Sequence, residues 1–151
     1  MRCAVGIDVS VQRPISSRAH GAISYSVSGL LLAAPELLGL KQVPLAALAP
    51  RAAGATALSY ALLTDFELGA RRVLPLRIHL ALDAAGGALL AAAPWLLGFA
   101  REGRRFWMPH LLAGSGVMGV AALSRTVPDD AVSRRRRLFR EPVGSHRRSL
   151  G

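Results

Sequence analysis

Apolar residues along this chain collect in four blocks, and the arginines lie between and after them. The third block, Arg77 to Phe99 (RIHLALDAAGGALLAAAPWLLGF), is long enough to cross a bilayer. At ~1.5 Å per residue, about twenty helical residues cover the ~30 Å hydrocarbon core. A drifted copy precedes it at Arg18 to Leu40. Set fifty-nine positions apart, the two align without a gap: Arg18 falls on Arg77, His20 on His79, Ala33-Ala34-Pro35 on Ala92-Ala93-Pro94, and Leu37-Leu38-Gly39 on Leu96-Leu97-Gly98. The same offset carries Pro50 onto Pro109 and Thr56 onto Ser115. A repeat at one fixed offset outranks local signals, and this one predicts a hairpin of two membrane helices that occurs twice.

The expected fold is all-α, a four-helix transmembrane bundle built from two tandem hairpin repeats. The first hairpin covers residues 18–69, with spans at about 21–40 and 50–69; the second covers 77–128, with spans at about 76–97 and 107–123. Residues 1–17 form a leader, 70–76 an inner loop carrying Arg71 and Arg72, and 129–151 a basic tail. Lys41 to Pro50 (KQVPLAALAP) looks too broken by proline for a span, so the second helix is expected to start near Pro50, where a first-turn proline is tolerated. Ile23 to Ala34 also resembles the apolar region of a signal peptide. Its counterpart lies mid-chain, where no signal peptide can be, which favours a retained span.

Composition changes this picture little. A hydrophobic content of 52% is ordinary for a soluble protein, so the distribution carries the signal. Ala, Leu and Gly fill the blocks, as expected where helices approach closely in lipid. A net charge of +10 is compatible with nucleic acid or with an anionic surface. Because the charges lie outside the apolar blocks, lipid is the simpler partner, and no nucleic-acid partner is expected. Cys3 is the only cysteine, which excludes an internal disulfide and a cysteine-based zinc site. About 14 basic residues fall on the side of the termini and about 5 on the other, so the positive-inside rule places both termini in the cytoplasm of a multi-pass inner-membrane protein. Trp95, Phe99, Phe106 and Trp107 cluster at the opposite interface, where aromatic belts occur.

The run Ala93-Pro94-Trp95-Leu96-Leu97-Gly98-Phe99 resembles the signature of the SPW (serine-proline-tryptophan) repeat family of small bacterial integral membrane proteins, and Ala34 to Leu40 resembles its partner repeat. Pro35, Gly39, Pro94, Trp95 and Gly98 carry the likeness, which extends over about Arg13 to Pro128. Ala34 and Ala93 stand where the name implies serine, and Glu36 where it implies tryptophan. The resemblance implies a helical membrane domain and brings no reaction, ligand or cofactor.

His79 and Asp83 are the candidate intramembrane polar pair. Four residues apart, they share a helix face, and a buried Asp there costs ~2.5–3.5 kcal/mol on insertion scales, so it needs a partner. The functional reading is a proton or ion relay; the structural reading is a hydrogen bond between helices. His20, Ser24 and Ser28 repeat the pattern in the first copy. His110 is placed at the far edge, so a three-histidine metal site is not expected, and H-x-x-x-D alone is weak metal evidence. Glu36 lacks a catalytic companion. Arg134, Arg135, Arg136 and Arg137 are candidate contacts to anionic lipid headgroups, at ~1 kcal/mol each near the surface. No Walker loop, G-x-S-x-G or H-E-x-x-H occurs in the chain. No catalytic, cofactor-binding or metal residue is therefore expected. The expected function is a non-enzymatic scaffold, accessory or envelope component, with a homo-oligomer or another membrane protein as candidate partner. The alternative is a small oligomeric transporter or channel unit using His79 and Asp83.

Overall fold

The computed structural model describes residues 13–131 and residue 133. Most of the leader and the whole of Arg134 to Arg137 lie outside the described residues. Four long helices dominate: α1 (Ser17–Leu37), α2 (Pro44–Leu63), α3 (Leu76–Leu96) and α4 (Arg104–Leu123). Short 3-10 turns at Leu40–Gln42 and Phe99–Glu102 link α1 to α2 and α3 to α4. The fold is all-α, as the four apolar blocks predict.

Local chemistry sets the helix ends. The Ser16 side chain caps α1 by accepting from the Ala19 N–H at 3.2 Å. Gly39 (φ 63°) and Gly98 (φ 80°) stand at equivalent places after α1 and α3 in the left-handed region, which side chains disfavour. Pro35 and Pro94 lie one turn earlier, both fully buried.

The second helix departs from expectation. It begins at Pro44 rather than Pro50 and ends at Leu63 rather than Gly69. Pro44 occupies the first turn, and Pro50 sits inside the helix. An interior proline orphans the carbonyl four residues back, here that of Ala46. His110 of α4 fills the gap by donating from Nε2 to the Ala46 oxygen at 3.1 Å, while its ring packs on Phe99. The KQVPLAALAP segment is thus helical because a partner helix repairs the damage its proline does. Replacing His110 with Ala should lower stability by about 1–3 kcal/mol, because the Ala46 carbonyl is left buried without a donor. Detergent-phase thermal unfolding measures this, and an unchanged midpoint would show that the carbonyl finds another partner.

The two hairpins share one geometry but not one offset. Buried residues of α1 (His20, Ser28, Leu31, Pro35) match those of α3 at fifty-nine positions (His79, Gly87, Leu90, Pro94). Those of α2 (Pro50, Gly54, Ala61) match those of α4 at sixty (His110, Gly114, Ala121). The extra residue falls in the second connection, which contains Gly103 at φ 116°. Pro50 therefore corresponds to His110, and the ungapped alignment of Pro50 on Pro109 holds in sequence but not in space.

Helices pack closely within each hairpin, α1 along α2 and α3 along α4, and more loosely between hairpins. The hairpins are stitched crosswise at one end. Ile15, ahead of α1, forms a parallel bridge with Ser124, after α4; Leu74, ahead of α3, forms the same bridge with Thr64, after α2. Equivalent backbone bonds hold each, Arg125 N–H to the Ile15 carbonyl at 2.9 Å and Asp65 N–H to the Leu74 carbonyl at 2.8 Å. Entry and exit of the repeat region therefore lie side by side.

Beside an apolar core that includes Leu40, Phe66 and Leu76, polar side chains are buried while many leucines face outward. Leu30 (61% exposed), Leu89 (63%), Leu96 (68%) and Leu112 (63%) point outward, whereas His20, Ser28, Thr64, His79 and Ser124 are completely buried. Among the described residues, α3 and α4 are the helices long and apolar enough by themselves to cross a membrane. Ser24, Tyr25, Ser26 and Ser28 dilute α1, and Arg51, Ser59 and Tyr60 dilute α2.

Candidate functional site: a buried polar cluster between the hairpins

The cluster is built from equivalent residues of the two repeats. His20, near the start of α1, and His79, near the start of α3, are both fully buried and stack edge to face with ring centroids 5.1 Å apart. Tyr60 and Phe66 close the other sides of the His79 ring at 4.9 and 5.6 Å. Phe66 also presses on Gly21, where a Cβ would meet its ring at 2.7 Å. The absence of a side chain at Gly21 is what lets Phe66 cover the histidines.

Each histidine is anchored in the opposite hairpin. His20 Nδ1 lies 2.8 Å from Ser124 Oγ, and His79 Nδ1 lies 2.7 Å from Thr64 Oγ1. Both hydroxyls have already given their only hydrogen to a carbonyl four residues back, Ser124 to Val120 and Thr64 to Tyr60, each at 2.6 Å. They must therefore accept from the rings, which puts a hydrogen on Nδ1 of both histidines. Both Nε2 atoms are left facing Asp83 Oδ2, at 3.1 Å from His20 and 3.3 Å from His79. The other carboxylate oxygen accepts from the Tyr60 hydroxyl at 2.5 Å. Ser24 Oγ stands 3.3 and 3.4 Å from the same two Nε2 atoms.

A hydroxyl, an imidazole and a carboxylate together invite comparison with a nucleophilic triad. In such a triad the base meets the nucleophile with one ring nitrogen and the carboxylate with the other. Here Ser24 and Asp83 meet the same nitrogen, and Nδ1 is committed to Ser124 or Thr64. Ser124–His20–Asp83 and Thr64–His79–Asp83 do place a hydroxyl and the carboxylate on opposite ring nitrogens, but both hydroxyls are completely buried and give their hydrogen to a backbone carbonyl, so neither is placed to attack a substrate.

Just outside the cluster, Glu67 accepts from the Ser17 hydroxyl at 2.8 Å and from the Asp129 N–H at 3.0 Å, fastening the segment after α4 to the loop after α2. A groove of about 1090 Å3 runs from the cluster, past Ser28 and Pro50, to His110 at the far end, with a wall otherwise made mainly of Ala and Leu.

Of the residues predicted from sequence, His79 and Asp83 do meet, and His20 and Ser24 join them. Their i, i+4 pattern occurs twice in the sequence, but nothing in it indicates that the two copies face each other. Tyr60, Thr64 and Ser124 carry no recognisable signal. His110 packs against Ala46 and Phe99 in the cluster at the other end, so it does not converge with the other two histidines. Glu36 pairs with Lys41 at 3.0 Å and with Arg51 on an exposed face, while Trp95 is 54% exposed and lies 5.9 Å from Trp107.

The family model for the SPW repeat domain matches residues 18–124, the span from α1 to the end of α4. The chain belongs to the SPW repeat family. No curated protein and no solved structure matches it. Family membership and the two apolar helices together point to membrane association. The SPW signature positions Pro35, Gly39, Pro94 and Gly98 end the first helix of each hairpin, at the opposite end of the helices from the polar cluster.

Proposed function

We propose that this SPW repeat protein is a multi-pass protein of the bacterial cytoplasmic membrane in which all four helices span. Its hairpins would be tandem copies of one ancestral unit, with both termini cytoplasmic. It acts without catalysis, as a scaffold, accessory subunit or envelope component, and the His20–His79–Asp83 cluster locks its halves together. The observation that carries this reading is the radial order on the helices: many leucines outward, with histidines and hydroxyls buried beside a smaller apolar core. Water would penalise that order and lipid favours it. The crosswise stitching of Ile15 to Ser124 and Leu74 to Thr64 supports termini on one side. The single-nitrogen arrangement at Ser24, with Ser124 and Thr64 completely buried and bonded to backbone carbonyls, supports a non-enzymatic role.

The transporter or channel reading requires Asp83 to face a wet path. A groove does reach it, but the lining is mainly alkyl, and both Asp83 oxygens are engaged. Purely apolar walls are poor conductors of ions, so the scaffold is preferred. Reporter fusions test the topology. A fusion at Lys41 should report the external side, and fusions after Gly69 and at the C-terminus the cytoplasm. An external C-terminus, or extraction of the chain by alkaline carbonate, would reject it.

A further inference from the structure

We propose that the cluster is a metal site: His20 Nε2, His79 Nε2 and Asp83 Oδ2, with Ser24 Oγ beside both nitrogens, hold one zinc-class divalent ion that clamps the two hairpins. This goes beyond the scaffold reading and rests on none of its topology. The first three ligand atoms lie within 4.8 Å of one another. With Nδ1 of both rings already donating, two nitrogen lone pairs and a carboxylate oxygen converge on one point. Ser24 has a single hydrogen and can serve only one of the two nitrogens. A cation must sit between them, either a proton or a metal.

The N···O separations favour the metal. A proton shared between imidazolium and carboxylate draws N and O to ~2.7–2.9 Å. Ligands held ~2.0–2.1 Å from zinc stand about 3.3 Å apart along a tetrahedral edge. The observed separations are 3.1, 3.3, 3.3 and 3.4 Å. The surrounding shell also matches a metal site: each ligating histidine donates its other N–H to a hydroxyl, and the free carboxylate oxygen accepts from Tyr60. Two imidazoles with one carboxylate suit zinc-class ions rather than magnesium or calcium. Each hairpin contributes an i, i+4 pair at equivalent positions, His20 with Ser24 and His79 with Asp83. Asp83 and Ser24 border the groove.

The test uses the full chain, purified in detergent without a histidine tag and stripped with EDTA. Titration with zinc should give one ion per chain. Cobalt should give the intense visible bands of a tetrahedral ion, and zinc should raise the melting midpoint where magnesium and calcium do not. His79→Gln should abolish binding. Ser124→Ala, which removes only the anchor of His20, should weaken it by about 10–100-fold; it keeps the question answerable if His79→Gln does not fold. Absence of binding, a six-coordinate cobalt spectrum, or affinity undiminished in Ser124→Ala would each overturn the site. None of these outcomes bears on the reporter fusions.

Discussion

Gly114→Ala will force α3 and α4 apart and destabilise the protein by about 3 kcal/mol, the upper end for overpacking. A Cβ at Gly114 would stand 2.3 Å from the Gly87 carbonyl oxygen and 2.5 Å from the Ala91 nitrogen. Both obstacles are backbone, so no rotamer change can relieve the overlap and the helices themselves must move. The equivalent Gly54→Ala meets the Ser28 carbonyl at 2.8 Å and should act the same way with a smaller loss. Gly86 and Gly116 are the controls. Neither has a neighbour within 4 Å of a built Cβ, so Ala there should be neutral or stabilising by up to ~1 kcal/mol of helix propensity. Thermal unfolding of the four variants in one detergent would check the order. A Gly114→Ala protein as stable as Gly116→Ala would mean that α3 and α4 are not in close contact.

Much of this architecture is legible in the sequence, because the recurring pattern writes the same constraints twice. The paired prolines and glycines at Pro35/Pro94 and Gly39/Gly98 recur at one offset, and that recurrence alone marks a shared turn. The sequence also shows Ser28 and Gly87 as equivalent small positions, and the structure places both against a partner helix. Three features are not legible. The start of α2 is hidden because Pro50 looks like a boundary unless His110 satisfies the Ala46 carbonyl, a contact between distant segments. The change of offset from fifty-nine to sixty is hidden because Pro50 and Pro109 align by coincidence across a connection with one added residue. The convergence of His20 with His79 is hidden because helical periodicity gives faces within a helix, not which faces meet. That information lies in the crosswise pairing of Thr64 and Ser124 with the histidines, and isolated hydroxyls at helix ends look like ordinary caps.

Asp83→Leu will cost about 3–5 kcal/mol, the penalty for removing one partner from a buried polar set. Asp83 is 7% exposed, and three groups depend on it: the Tyr60 hydroxyl on one oxygen, and His20 and His79 on the other. Leucine fills the space but leaves all three without a partner. Asp83→Asn should cost less, about 1–3 kcal/mol, because its carbonyl can still accept from Tyr60 and its amide can serve one imidazole. A loss below about 1 kcal/mol for Leu would put the cluster among ordinary polar contacts between membrane helices, which average ~0.6 kcal/mol, and the lock would be lost as an idea. The repeat supplies a sharper control. Ser24 holds in α1 the place that Asp83 holds in α3, so adding Ser24→Asp to Asp83→Ser returns a carboxylate to the same two nitrogens from the other hairpin. Recovery will be partial, since the position equivalent to Tyr60 is Val120, which cannot donate to the second oxygen. Partial recovery of the melting midpoint, with proteoliposome ion flux equal in Asp83→Asn and the parent, is the joint outcome a structural clamp requires. A selective loss of flux with the fold intact would instead assign the carboxylate to transport.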